Sequence, residues 1–128
     1  MKTRTLYRPM GHAEWELVVA SGMKHFPPRL YWQPIFYPVL NLAYAEQIAR
    51  EWNVHDEAGS YTGYVVAFDL PQSYIDQFPV QQVGGELHQE LWIPAEQLDE
   101  FNSRIIGPIR HISTFFGDKH KKMDNPKH

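Results

Sequence analysis

Residues 84–94, GGELHQELWIP, place acidic, imidazole and indole side chains on alternate positions. In a β-strand, alternate side chains share one face, so the segment predicts a strand with a polar face and a core face. The polar face carries Glu86, His88, Glu90 and Trp92, and the core face carries Leu87, Gln89, Leu91 and Ile93. Two carboxylates and an imidazole on one face could bind a metal, or the face could be only the solvent-exposed side of a sheet.

Strand geometry argues against a metal site on this face. Alternate residues lie about 6.5–7 Å apart, so Glu86 and Glu90 start roughly 13 Å apart, and one ion cannot easily gather both. The chain has no cysteine, and its other histidines lack ligand spacing such as His-x-x-x-His. No serine lies in Gly-x-Ser-x-Gly, and no glycine-rich phosphate loop is present in the sequence. The sequence therefore predicts neither a metal site nor a hydrolytic triad.

The composition indicates one folded domain. The 128 residues are 43% hydrophobic and 14% aromatic, which is typical of a globular protein with a substantial core. The formal net charge of −3 does not favour a nucleic-acid or anionic-membrane partner. Without a signal peptide or a long apolar run, we expect a cytoplasmic protein that does not span a membrane. We predict a domain over residues 1–116 and a flexible polar tail over residues 117–128.

Hydrophobic periodicity predicts a single-domain α+β fold with a mostly antiparallel sheet. Helices are predicted over residues 12–22 and 41–52, with Asn41 as the N-cap of the second, and with Trp15 and Trp52 on the core-facing stripes. A long strand is predicted over residues 61–70, with one side formed by Tyr64, Val66, Phe68 and Leu70. The remaining predicted strands are residues 5–9, 35–39, 80–83, 84–94 and 109–116, and the short helical segments are 71–78 and 94–102.

The order of these pieces resembles that of the ADP-ribosyltransferase fold. LYRP on a first strand precedes a helix, IFYPV runs into the helix NLAYAEQIAREW, and GYVVAFDL leads to HQELWIPAEQL on a late strand. The resemblance covers roughly residues 4–116. The chain is also similar to small bacterial proteins loosely described as ADP-ribosylation-related, which share LYRP, FPPR, FYPV, WN and WIPAE. The resemblance implies a split β-sheet that binds NAD as a substrate.

The resemblance also implies roles for individual residues. Arg8 matches a first-strand arginine that contacts the dinucleotide, and Tyr37 lies where one branch of the family has a tyrosine that stacks on nicotinamide. Glu90 matches the catalytic glutamate of the late strand. His88 stands where members commonly have an acceptor-selecting Glu or Gln, and we predict that it assists catalysis. Arg29, in a loop held by two prolines, is a candidate second phosphate contact.

The implied reaction breaks the nicotinamide–ribose bond, which develops positive charge on the ribose. A fixed carboxylate at Glu90 would stabilise that charge. The predicted function is ADP-ribosyl transfer or NAD hydrolysis, with a protein, a nucleic acid, a small molecule or water as the acceptor. The alternative is a non-catalytic module that binds a nucleotide or a protein segment. For Glu90 itself, the simplest alternative is a solvated strand residue paired with a nearby lysine or arginine.

Overall fold

The computed structural model describes residues 1–119, which form an α+β fold of antiparallel strands and short helices. This architecture confirms the predicted fold class. The strands are β1 Thr3–Met10, β2 Ile35–Phe36, β3 Thr62–Pro71, β4 Val80–Gln82, β5 Gln89–Leu91, β6 Ile93–Pro94 and β7 Ile106–Phe116. The helices are α1 His12–Ala20, α2 Leu42–Glu51, α3 Gln72–Ile75 and α4 Leu98–Arg104. Short 3-10 turns are formed by Asn53–His55, Glu57–Gly59 and Ala95–Gln97. None of the helices among residues 1–119 is both long and apolar enough to cross a membrane.

The strands form a series of antiparallel pairs around β3. This strand pairs with β1 on one side and with β7 on the other. Val39 then forms antiparallel bridges to Tyr7 in β1 and to Glu90 in β5. The other edge of β5 pairs with β4. The short strands β2, before Val39 in the sequence, and β6, after Glu90, pair with each other. The late strand is therefore connected to the central sheet through the backbone of residues 38–40.

Apolar side chains cover both faces of this sheet. The larger core contains Val66, Phe68 and Leu70 of β3, and side chains from α1, α3 and α4 pack against it. A smaller core on the opposite face joins Val65 to α2. The predicted alternation along β3 is thus confirmed, because Tyr64 also packs against the larger core. Burial on both faces makes β3 the centre of the fold.

Helix α2 lies unusually close to β3. Its N-cap is Asn41, as predicted, and the Asn41 side chain accepts a hydrogen bond of 2.7 Å from the backbone N–H of Tyr44. At the other end of the helix, a Cβ added at Gly63 would lie 2.7 Å from the carbonyl oxygen of Ala49. Glycine at position 63 therefore permits the approach that brings α2 onto the sheet.

The predicted continuous strand over residues 84–94 is wrong in its first half. Residues 84–88 form a turn, in which the His88 N–H donates to the Gly85 carbonyl at 3.0 Å. Two consecutive glycines favour such a turn over a strand, because glycine loses the most conformational freedom when extended. Leu87, predicted to face the core, is 57% exposed, and Glu86 is exposed in the turn. Leu91 and Ile93 are buried as expected.

The prediction for Trp52 is also wrong, since its side chain is 71% exposed. Trp52 is the C-cap of α2, with φ −121° and ψ −57°, so its backbone leaves the helix and its side chain leaves the apolar stripe. Trp15 is partly buried against the larger core. Gly117, the first residue of the predicted tail, is buried and donates to the Tyr61 carbonyl at 2.9 Å. Residues 120–128 of that tail lie outside the described residues.

We expect Gly63→Ala to lower the free energy of unfolding by about 1–3 kcal/mol, because its methyl group forces α2 away from β3. Urea denaturation measures this difference. Gly85→Ala is the matched control, since a Cβ there meets only the His88 ring, at 3.8 Å and beyond. Equal stability of the Gly63→Ala variant and the wild type would contradict the close packing of α2.

Candidate functional site

The Glu90 carboxylate is held at both oxygens. Tyr44 donates its hydroxyl to Oε2 at 3.1 Å, and Trp92 donates its indole N–H to Oε1 at 2.8 Å. In the described part of the chain, the partners of Glu90 are thus two aromatic donors rather than a lysine or arginine. Two donors from different elements fix the plane of the carboxylate, as pre-oriented electrostatics requires.

The backbone explains why these three side chains meet. Glu90 and Trp92 are two positions apart in the extended segment that contains β5 and β6, so they share a face, while Leu91 and Ile93 enter the core on the other. Helix α2 covers the face of Glu90 and brings Tyr44 to it from its first turn. The shared face of Glu90 and Trp92 was predicted from the sequence.

Tyr44 remains a neutral donor at physiological pH. Burial, the negative charge of Glu90 and the hydrogen bond to that carboxylate together raise the pKa of its hydroxyl to about 12, with burial the largest cause. The proton on the Tyr44 oxygen therefore stays available to Glu90. This arrangement keeps the carboxylate hydrogen-bonded while leaving its negative charge intact.

His88 contacts Tyr44 rather than Glu90. Its ring stacks on the Tyr44 ring with centroids 4.6 Å apart and an interplanar angle of 19°. Both ring nitrogens have partners, since Nδ1 lies 3.1 Å from the Gly85 nitrogen and Nε2 lies 3.0 Å from Oε1 of Gln47. His88 therefore does not contact the Glu90 carboxylate that it was predicted to assist. Tyr44 lies between them, and both ring nitrogens of His88 already have partners.

Two exposed aromatic rings pack against each other, and one of them is the Trp92 indole that donates to Glu90. Tyr37 and Trp92 are 39% and 43% exposed, and their rings lie nearly perpendicular, with centroids 6.3 Å apart and an angle of 83°. The backbone carbonyl of Tyr37 also accepts a hydrogen bond of 3.3 Å from Nη1 of Arg8. Tyr37 thus contacts both Trp92, the donor to Glu90, and Arg8.

Arg8 is buried in a pair with Glu14. Its Nε and Nη2 each donate to a different Glu14 oxygen at 2.8 Å, which is the bidentate geometry of a strong guanidinium–carboxylate pair. The residue is only 9% exposed, and its guanidinium lies 4.7 Å from the centroid of the Phe36 ring. A buried arginine requires such a partner, because an unpaired charge in the core is costly.

Arg29 shares the same carboxylate. Its Nη1 lies 3.9 Å from Oε1 of Glu14, and its Nε donates to the Ile35 carbonyl at 3.1 Å. Burial lowers the pKa of Arg29, and the positive charge of Arg8 lowers it further, while Glu14 opposes both effects. One carboxylate thus faces two guanidiniums. Arg29 and Glu14 line a cavity of about 310 Å³, and the carboxylate of Asp56 lines the same cavity.

The five predicted site residues are linked by a series of contacts. Glu90 lies on one face of the sheet, and Arg8 lies on the other. Tyr7, Val39 and Glu90 are bridged partners, so their side chains share the face covered by α2. Arg8 follows Tyr7 in β1 and therefore points to the other face. The structure brings Glu90 and His88 together around Tyr44, and brings Arg8 and Arg29 together around Glu14. The assignment of all five to one NAD site stays a prediction.

Sequence reasoning missed Tyr44 and Glu14. Tyr44 lies 46 positions before Glu90, and no local pattern connects a helix residue to a strand that distant. Glu14 offered a weak signal, as an acidic residue in the first turn of α1 six positions after Arg8. Within residues 1–119, no group of three or more His, Asp and Glu side chains could hold a metal ion.

Comparisons of this chain with models of protein families, with curated proteins and with solved structures found no match. The resemblance to ADP-ribosyltransferases therefore stays a prediction from the residues themselves.

We expect Tyr44→Phe to lower the free energy of unfolding by about 1 kcal/mol at pH 8, because Glu90 loses one donor. The folded-state pKa of Tyr44, about 12, lies above its ordinary value of 10. Its contribution to stability is therefore complete below pH 10 and is lost as the pH rises towards 12. Urea denaturation between pH 8 and 11 should show the two proteins converging in stability. Tyr31→Phe, at a position 93% exposed, is the control. A constant difference across this range would contradict the assignment.

Proposed function

We propose that this protein binds NAD and breaks its nicotinamide–ribose bond, passing ADP-ribose to water or to another acceptor. The observation that carries the proposal is the Glu90 carboxylate, fixed at both oxygens by Tyr44 and Trp92 beside the exposed ring of Tyr37. A solvated surface glutamate needs no such support, whereas a carboxylate that must face a developing cation gains from it.

In the proposed reaction, the bond between C1′ of the ribose and the pyridine nitrogen breaks. Its electron pair leaves with neutral nicotinamide, and the acceptor oxygen or nitrogen bonds to C1′ and releases its proton to solvent. Positive charge accumulates on the ribose as the bond stretches, as in glycoside cleavage. Glu90 stabilises that charge electrostatically, and its Tyr44 and Trp92 donors keep it from rotating away.

The remaining predicted contacts fit a dinucleotide of mixed charge. The rings of Tyr37 and Trp92 offer flat surfaces beside Glu90 for the cationic nicotinamide ring. Arg29 supplies a guanidinium for a pyrophosphate on the wall of the cavity that it shares with the carboxylates of Glu14 and Asp56. Arg8 does not line this cavity, so a phosphate contact would come from Arg29 more readily than from Arg8.

We also propose that the fold is of the split-sheet kind found in ADP-ribosyltransferases. In support, the three-stranded sheet β1–β3–β7 and the paired strands β4 and β5 are joined only by the bridges of Val39 among the described residues. The order of elements along the chain also agrees with the predicted one, with a strand and a helix repeated before the late strand.

A second candidate is a binding module without catalysis. Its support is that both oxygens of Glu90, and both guanidiniums, already have protein partners. Such a surface can hold a ligand through its exposed rings without a group that is free to react.

Purified protein incubated with NAD should release nicotinamide, measured by chromatography, and Glu90→Gln should reduce the rate by about 100-fold or more. The substituted amide keeps the size of the side chain and removes its charge. Glu86→Gln, in the exposed turn nearby, is the matched control and should retain the wild-type rate.

Calorimetric titration with NAD separates the two candidates. Binding without nicotinamide release, unchanged in Glu90→Gln, supports the binding module. If NAD neither binds nor reacts, the proposed function is wrong.

A further inference from the structure

The hydrogen bonds of His88 define where its proton lies. The backbone N–H of Gly85 can only donate, so Nδ1 of His88, 3.1 Å away, must be the acceptor and carry no proton. In the neutral ring the proton is then on Nε2, which lies 3.0 Å from the amide oxygen of Gln47. The amide nitrogen of Gln47 faces the Glu51 carboxylate at 3.5 Å, which agrees with that orientation.

His88 also closes a turn against the start of α2. The His88 carbonyl accepts from the Val83 N–H at 2.9 Å, and Asn41 donates its side-chain N–H to the Leu87 carbonyl at 2.5 Å. Inside this turn, the His88 ring covers the ring of Tyr44, the residue that holds Oε2 of Glu90. A change at His88 thus reaches Glu90 through one intervening side chain.

We propose that neutral His88 is a pH-sensitive positioning residue that holds Tyr44, and through it Glu90, and that protonation of its Nδ1 opens the turn at residues 83–88. A proton on Nδ1 would point at the Gly85 N–H, so the hydrogen bond between them is replaced by repulsion of two donors. Histidine is the side chain that most often changes charge near neutral pH, so a pH titration can test this opening.

The charged and titratable groups that face His88 come from three elements. Helix α2 presents Tyr44 directly and Glu51 through Gln47, and β5 presents Glu90 through the Tyr44 hydroxyl. The turn itself carries the exposed Glu86. Protonation adds a hydrogen to Nδ1, which faces the Gly85 N–H, so the hydrogen bond between them is the one that protonation breaks.

This role differs from that of a residue that selects an acceptor, because both ring nitrogens of His88 are occupied within the protein. The opening of the turn does not depend on whether NAD is the substrate. Its catalytic consequence, a reaction that slows when His88 is protonated, rests on the proposed function.

Nuclear magnetic resonance titration without any ligand tests the proposal. In the wild type from pH 8 to 5, the Gly85 amide and Trp92 indole N–H resonances should shift with the same midpoint as the His88 ring. The ring carbon shifts at pH 8 should report the Nε2–H tautomer. Resonances of Gly85 and Trp92 that do not follow His88, or an Nδ1–H tautomer, would overturn the proposal.

Two variants sharpen this test. His88→Asn places an amide oxygen near the position of Nδ1, which keeps an acceptor for Gly85 but cannot titrate, so both resonances should be flat between pH 5 and 8. His25→Asn removes an exposed histidine elsewhere and should leave the co-titration intact. If His88 had only a structural role, His88→Asn would lower stability, but the pH dependence of the Gly85 and Trp92 resonances would remain. If His88→Asn does not fold, the wild-type titration still decides the question, whatever the outcome with NAD.

Discussion

The backbone of Val39 is the constraint on which the rest of the structure depends. Its N–H and carbonyl bond to Tyr7 at 2.8 and 3.0 Å, while its neighbours Pro38 and Leu40 bond to β5 on the opposite side. In an antiparallel sheet, register decides which face each side chain takes, and a slip by one residue exchanges the faces. The bridge therefore sends Glu90 towards α2 and leaves Arg8 on the other face. No side-chain chemistry at Val39 is needed for this effect.

The charged side chains Arg8 and Glu90 each have protein partners, but the partners differ in kind. The buried cation Arg8 is neutralised within the core by Glu14, and the carboxylate of Glu90 is held by neutral donors. The two arrangements have different consequences. A salt bridge cancels a charge, whereas hydrogen bonds from neutral groups orient a charge and leave it able to act on a ligand. On these grounds Glu90 is a stronger candidate for chemistry than the arginines that the sequence also suggested.

Features set by local patterns could be predicted from the sequence. The alternation along β3, the N-cap at Asn41 and the shared face of Glu90 and Trp92 depend on residues a few positions apart. The predictions were wrong where the sequence pattern continued but the backbone conformation changed. The chain turns at the glycine pair before His88, and it leaves the helical conformation at Trp52, at the C-terminal end of α2. Tyr44 could not be predicted as a partner of Glu90, because the contact depends on how tightly α2 packs on β3, which a single glycine controls.

The register of the central sheet also bears on how the chain reaches its fold. Thr3 pairs with Pro71, and Thr62 pairs with Phe116, so both edges of β3 join strands that are far away in sequence. Long loops must close before such pairs form, and folding is slow when most strand pairs are of this kind. During synthesis, β1 and β3 can meet only after more than half of the chain has emerged, and the second edge of β3 stays open until β7 follows. For that interval the most apolar strand of the protein is an unpaired edge, the condition in which chains associate wrongly.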